Sequence, residues 1–338
     1  MTKSSCANLN RLSDISNPSI RDKLKNRMKN ISVISAPSNL GLKPQTGGKL
    51  SGVTKLPETL LNNGLLEKLN AVFQTEIAVP PYNRQKDEQT SILNPQGIRE
   101  FSLRLADEVG RAVRQNSFPL VLGGDCSILL GNVLAIKRLG RYGLFFLDGH
   151  ADFYLPAQSQ SGTVAGMDLA FATGRGDDVL SNIDGEKPLV RDEDVIVFGF
   201  RDMEEAVRDK MPKLSETEMI TYSLPRIREI GAKKAALDAL QKLQNDSLDG
   251  FWIHVDADVL DDRVMPAVDS RQPDGLSYEE FVKVLKILLA SDKAVGMHIG
   301  IFDPEMDPDG SIAKNFTAAI VESFINLSPN RFDKTNSV

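Results

Sequence analysis

Asp148, His150 and Asp152 occupy alternate positions directly after the apolar run Leu144-Phe145-Phe146-Leu147, and Asp256 and Asp258 follow Phe251-Trp252-Ile253-His254-Val255 in the same way. In an extended chain, residues two and four apart point to one face, so each run ends by presenting ligand-type side chains together. In a parallel sheet, the carboxyl ends of the strands open onto the ligand crevice. Carboxylates and an imidazole crowded there would repel one another or lie desolvated unless a cation held them. Four carboxylates and a histidine are hard oxygen and borderline nitrogen donors, suited to Mn²⁺ or a similar divalent ion and sufficient to hold two ions. The chemistry they imply is hydrolysis by a metal-activated water, which needs no protein base near neutral pH. A solvated acidic loop with an incidental histidine is the plainer reading of either cluster alone; two clusters of this kind argue against it.

These clusters need strands to carry them. Short β-branched and aromatic runs alternate with longer helical patterns, as in a parallel sheet with crossover helices. The pattern predicts strands at 31–35, 75–79, 119–122, 143–147, 194–200, 219–222, 250–255 and 294–301. Helices are predicted near 56–69, 96–116, 127–139, 225–245, 278–289 and 311–325. The Gly/Ser/Gln-rich stretch from Tyr154 to Met167 reads as a long loop of the kind that carries function.

The 338 residues, 41% hydrophobic and 25% charged, can bury a large core, and no linker composition divides them, so one main domain over 31–327 is expected. It is preceded by a lead-in at 1–30 and followed by a tail at 328–338. The net charge of −6 and the lack of basic runs interleaved with aromatics exclude nucleic acid as the expected partner. The alternating basic residues Arg21, Lys23, Lys25, Arg27 and Lys29 read as a solvated helix or frayed lead-in. The sequence lacks an apolar run of the ~18 residues a membrane span needs and the hydrophobic middle of a signal peptide. With Cys6 and Cys126 the only cysteines, a reducing, cytoplasmic location without membrane contact is expected.

Across roughly residues 32–325 the chain resembles the arginase family of ureohydrolases. The resemblance rests on Gly123-Gly124-Asp125-Cys126-Ser127 against GGDHS, Asp148-Gly149-His150-Ala151-Asp152 against DAHxD, and His254-Val255-Asp256-Ala257-Asp258 against SxDxD. Ser161-Gly162, Gly199-Phe200-Arg201-Asp202, Pro266 with Asp274-Gly275-Leu276, and Asp303-Pro304 are weaker echoes in the same order. The resemblance implies a three-layer α/β/α fold around an eight-stranded parallel sheet and assembly as a homo-oligomer, a trimer or hexamer. It also implies two Mn²⁺ ions sharing a hydroxide that attacks the carbon of a small guanidino or amidino substrate. Asp148, His150, Asp152, Asp256 and Asp258 match metal ligands, with Asp152 also at the reacting centre.

Several positions depart from the family. Cys126 stands where the sixth ligand is histidine; a thiolate there shifts preference from Mn²⁺ toward Zn²⁺, Fe²⁺ or Co²⁺, while a buried filler is the alternative. Ala165 falls on the proton-carrying histidine, and Ile301 on the glutamate that pairs with the guanidinium, with Asp303 or Glu305 near enough in sequence to replace it. His254 replaces a small residue on the ligand face, as an orienting donor, a substitute ligand, a catalytic proton carrier or a structural histidine; His298 reads as structural. Glu204 matches the acid that holds a substrate amino end, or else opens a solvated helix; Tyr154 reshapes the pocket, or else packs under the loop; Ser161 and Asp303 complete the candidate substrate contacts. The expected activity is metal-dependent hydrolysis of a non-peptide C–N bond. A neutral linear amide or formimino substrate, or a metal-binding member without turnover, is the alternative.

Overall fold

The computed structural model describes residues 30–325 and 327. The lead-in apart from Asn30, with Cys6 and the basic residues 21–29, and the tail at 328–338 lie outside the described residues. Eight parallel strands form one sheet: β1 (Ile31–Ala36), β2 (Val72–Glu76), β3 (Phe118–Gly123), β4 (Tyr142–Leu147), β5 (Val195–Phe198), β6 (Ile220–Tyr222), β7 (Gly250–Asp256) and β8 (Ala294–Gly300). Their order is β2-β1-β3-β8-β7-β4-β5-β6. β3, β5, β7 and β8 are buried along their whole length, as strands covered on both faces must be. This is why they read in the sequence as unbroken apolar runs.

The longer helices are α1 (Pro95–Arg114), α2 (Leu129–Lys137), α3 (Ala232–Leu243), α4 (Tyr278–Leu289) and α5 (Ser311–Phe324). They fall into two packed groups: α1 against α2, and α3 against α4 against α5. The stretch predicted as one helix over 225–245 is two, Leu224–Ile230 and α3, because Gly231 takes φ +86°, a conformation glycine reaches without steric cost. The helix predicted over 56–69 likewise divides into Leu56–Asn62 and Leu65–Leu69. β2 begins three residues before its predicted start. It is an edge strand with no buried residue and with Val72 and Phe73, which point to opposite faces, both exposed, so its sequence has no sharp apolar boundary.

The central quartet β3-β8-β7-β4 positions the site. The carboxyl ends of β4 and β7 carry the two acidic clusters, β3 runs into Cys126, and β8 runs into Ile301. The β4–β7–β8 register sets Phe146, His254 and His298 side by side across three strands.

Candidate metal centre

The acidic clusters are held by turns beyond the strands rather than by the strand pleat alone. β4 ends at Leu147, so Asp148, His150 and Asp152 lie in the following loop; Asp258 lies in the single turn Ala257–Val259 after β7. At both ends the first aspartate folds back on the chain: Asp148 Oδ1 accepts from the His150 N–H at 2.7 Å, and Asp256 Oδ1 from the Asp258 N–H at 2.7 Å. An aspartate side chain readily makes this bond to the amide two residues on, which gathers both members of each pair. Gly149 makes the convergence sterically feasible: a Cβ there would stand 2.4 Å from Arg201 Nη1 and 2.7 Å from the Asp258 carbonyl oxygen. Its N–H donates to Asp258 Oδ1 at 3.0 Å. Asp152 takes φ +44°, a left-handed conformation that non-glycine residues adopt seldom and mostly where function or tertiary packing demands it.

Three overlapping groups of potential ligand atoms result, each with its members within 4.8 Å of one another: Asp148, His150 and Asp258; Cys126, Asp148, His254 and Asp256; and Cys126, Asp152 and Asp168. Asp148 belongs to two of them, a bridging position. Cys126 Sγ donates to Asp256 Oδ2 at 2.8 Å. Burial and the surrounding carboxylates raise the Cys126 thiol well above its ordinary value, so without a cation it keeps its proton. Burial, then mutual repulsion, raises the Asp152, Asp168 and Asp256 carboxyls well above the usual range. His150 Nδ1 faces Asp258 Oδ2 at 2.9 Å. Burial opposes the charge on this imidazole, but Asp258 and Asp148 outweigh it and lift it to about 9. Burial also opposes the charge of Asp258, yet His150 and Arg201 hold that carboxyl below its ordinary value. Divalent ions fit these residues: the donors are oxygen, nitrogen and sulfur, the acids are buried, and Asp168 Oδ2 has no hydrogen-bond partner.

His254 is fully buried and stacks on Phe146 with ring centroids 4.1 Å apart. Its two nitrogens are both engaged, Nδ1 with His298 Nε2 at 2.6 Å and Nε2 with Asp148 Oδ2 at 3.2 Å. Trp252 Nε1 lies 2.7 Å from His298 Nδ1, and an indole N–H can only donate. His298 Nδ1 therefore accepts, and burial lowers the His298 pKa far enough to leave the ring neutral, so its proton sits on Nε2 and is donated to His254 Nδ1. His254 must then carry its own proton on Nε2, directed at Asp148. In this arrangement His254 Nε2 is a donor rather than a free ligand atom: binding an ion through Nε2 would reverse both tautomers and set the His298 Nδ1 proton against the Trp252 N–H. The pair orients Asp148.

Of the potential ligands, His150, Asp152, Asp256 and Asp258 form the floor of a cleft of about 980 Å³. Asp152, Tyr154, Ser161, Ala165 and Ile301 line it, as the sequence suggests. Tyr154 Oη reaches Asp209 Oδ2 at 3.4 Å, and the Ser161 and Thr163 hydroxyls are 2.7 Å apart. Ile301 takes φ +70° while its N–H donates to the Gly124 carbonyl at 2.8 Å, and a β-branched residue in that region is strained. Two predicted contacts lie elsewhere. Glu204 is exposed on the helix Met203–Arg208, whose cleft-facing acid is Glu205. Asp303 is buried and accepts from the Gly52 N–H at 2.9 Å and Ser51 Oγ at 3.2 Å. Glu305 pairs outward with Lys49 and Lys55, both at 2.7 Å, so neither acid replaces the glutamate missing at Ile301.

Asp168, Asp202, Asp269 and Lys43 are the additions that sequence reading missed. Asp202 lines the cleft, accepts from the Ala151 N–H at 3.1 Å, and has a second oxygen, Oδ1, without a hydrogen-bond partner. Its position at the close of Phe200-Arg201-Asp202 after β5 was the available signal. Asp168 gives almost none, since an aspartate opening Leu169-Ala170-Phe171-Ala172 looks like an ordinary helix start.

A parallel α/β sheet with convergent acids at its central strand ends defines an α/β protein with a candidate metal site. The chain matches the Arginase family over residues 29–326 and belongs to it. It is 29% identical over 302 residues to an arginase of Staphylococcus aureus (strain COL), covering 87% of this chain and 96% of that protein. The fold matches the arginase structure from Bacillus caldovelox with a TM-score of 0.76, at 24% identity over 88% of this chain and 98% of that one. It also matches formimidoylglutamase from Bacillus subtilis with a TM-score of 0.68, at 18% identity over 90% and 89% of the two chains. The chain is thus an arginase-family ureohydrolase with the eight-stranded parallel sheet expected of it, and the residues of its central strand ends include candidate metal-ligand groups.

Proposed function

We propose that residues 31–327 form a two-metal hydrolase of a non-peptide C–N bond in a small guanidino or amidino compound. The observation that carries this reading is the acidic floor: Asp152 and Asp256 line an open cleft, and neither they nor the buried Asp168 beside Asp152 makes an ion pair with a protein cation among the described residues. Asp148, His150 and Asp258 would hold one ion; Cys126 and Asp152 would hold the other, with Asp148 and Asp256 shared between them. Mn²⁺ suits the oxygen-rich end, and Cys126 admits Zn²⁺, Fe²⁺ or Co²⁺. When bound, such ions supply an acidified water and polarise the carbon under attack.

The residues around the floor sort the substrate. Asp202, Glu205 and Asp269 line the cleft with negative charge, which attracts a cationic amidine. Lys43, Arg208 and Lys210 line it as well and suit a carboxylate at the other end of the substrate. Ala165 carries no proton, so the hydroxyls of Tyr154, Ser161 and Thr163 and water remain as donors to the leaving amine. The apolar Ile301 side chain favours the second reading, a neutral linear amide or formimino compound. The location is taken as cytoplasmic and the assembly as a trimer or hexamer. Among the described residues no helix is long and apolar enough to cross a membrane.

The test is product analysis with Mn²⁺-, Co²⁺- and Zn²⁺-loaded protein. Urea release from arginine, agmatine or guanidinobutyrate is expected; formamide or ammonia from formimino or amide compounds alone would replace the first reading with the second. Stoichiometric metal without hydrolysis of any of these compounds would overturn both. Ile301→Glu should raise kcat/KM for guanidino substrates about tenfold by restoring a charge partner.

A further inference from the structure

Asp168 lies outside the ligand set just assigned, yet among the described residues no cation meets the acid at its position. It opens the short helix Asp168–Ala172 and is fully buried. Oδ1 accepts from the adjacent Leu169 N–H at 2.7 Å. Oδ2 is buried and has no hydrogen-bond partner. No ion pair reaches this carboxylate among the described residues, and its ligand oxygen, an Asp152 carboxylate oxygen and Cys126 Sγ all lie within 4.8 Å of one another. An ionised acid in such a place costs several kcal/mol unless a cation meets it, and one that merely opened a helix would face solvent. Asp152, the other carboxylate of this group, is held at φ +44°, a conformation that non-glycine residues adopt seldom.

We propose that Asp168 is a protein ligand of the ion at Cys126, so that this half of the centre is a sulfur site closed by Cys126, Asp152 and Asp168. The proposal rests on the reading of the floor as a metal centre and names what is particular to this chain. One thiolate with two carboxylates is a softer set than oxygen and imidazole and selects a borderline divalent ion, Co²⁺, Zn²⁺ or Fe²⁺, over Mn²⁺. On binding, the Cys126 thiol releases its proton to solvent and Sγ forms the bond to the ion, as coordinating thiols do. No electron is exchanged in this step. Asp168 adds the negative charge and third donor atom that make a thiolate site tight when its imidazole is absent.

Cobalt titration of the purified full chain tests this without relying on turnover. Co²⁺ bound to Cys126 gives a sulfur-to-metal charge-transfer band in the near ultraviolet, and elemental analysis counts the ions. Asp168→Asn keeps the shape and the Leu169 contact but removes the charge; it should lower Co²⁺ affinity at the sulfur site at least ~10-fold and weaken the band at a fixed cobalt concentration. Wild-type affinity, stoichiometry and band in Asp168→Asn would overturn the ligand role. Should that variant not fold, Asp168→Cys, titrated under reducing conditions, carries the test. A second thiolate at a ligand position roughly doubles the band, whereas an unchanged band removes Asp168 from the site. Wild-type protein that binds no cobalt would instead sink the metal-centre reading itself, which distinguishes the two failures.

Discussion

At one end of the acidic floor, Asp258 faces His150 at 2.9 Å, accepts from the Gly149 N–H at 3.0 Å and has its backbone carbonyl held by Arg201 at 2.9 Å. At the other end, Asp152 and Asp168 face Cys126 with no protein cation paired to either among the described residues. At the first end His150 and Asp258 support one another: the histidine is raised to about 9 and the Asp258 carboxyl is lowered. The second end is acids raised by burial and repulsion. Two adjoining sites built from similar residue types therefore differ in their need for an ion. The second end offers a thiol, Cys126, and, among the described residues, no histidine paired with its acids, and the additional acid Asp168 increases the charge to be met.

That contrast can be broken at the shared carboxylates first. Asp256→Asn removes the acid that Cys126 contacts at 2.8 Å, and hydrolysis of the identified substrate should fall by about three orders of magnitude or more, read as kcat/KM with saturating metal. Activity within tenfold of wild type would mean that the floor is not the reacting centre. Exchanging the sulfur sharpens the comparison between the two ends. Cys126→His should shift the ratio of Mn²⁺ to Co²⁺ affinity by roughly tenfold toward Mn²⁺ and abolish the charge-transfer band. If Cys126 is only a filler, competition titration will instead give an unchanged ratio with a change in melting temperature alone.

Trp252→Phe attacks the support of Asp148 from a distance. It removes the donor that fixes the tautomers of His298 and His254 and should cost about 1 kcal/mol in denaturant unfolding. Metal affinity should also fall, by less than about tenfold, because Asp148 loses a directed donor; a stability loss with unaltered affinity would limit Trp252 to packing.

The smallest effect is in the pH dependence. His150 holds its proton to about 9 in the folded chain against 6.5 ordinarily, so its contribution is complete below about 6.5 and is lost as pH rises to about 9. Asp152, Asp168 and Asp256, raised in the fold, act in the same direction from lower pH. Metal-free protein should therefore melt at progressively lower temperature from pH 6.5 to 9. In the metal-loaded protein, protons compete with the ion and the slope should reverse over the lower part of that interval. Parallel melting curves with and without chelator would remove the distinction.

The eight strands were legible because both faces of the sheet are covered, which writes each central strand as a continuous apolar run; only the edge strand β2, which has no buried residue, was displaced. Asp148, His150, Asp152, Asp256 and Asp258 were legible because local folding fixes them: each cluster follows its strand directly, and an aspartate hydrogen bond to the second amide beyond gathers the pair. What depended on distant segments was not legible. Asp168 reaches Cys126 only through the fold of the long loop after Asp152. Glu204 and Glu205 differ by one step on a helix, and only the docking of that helix turns Glu205 into the cleft. Asp303 reads as a site acid until the amide of Gly52 is found against it.

The sequence by itself thus determined the parallel sheet, the two acidic strand ends and the loss of histidine and glutamate at Cys126, Ala165 and Ile301, since these reside in local pattern and residue type. Tertiary structure alone decided which way the protons of His254 and His298 point, because that order originates at the indole of Trp252 and passes between β7 and β8. It also decided that the extra acid of the sulfur site is Asp168, because a buried oxygen without a partner is defined by the segments surrounding it.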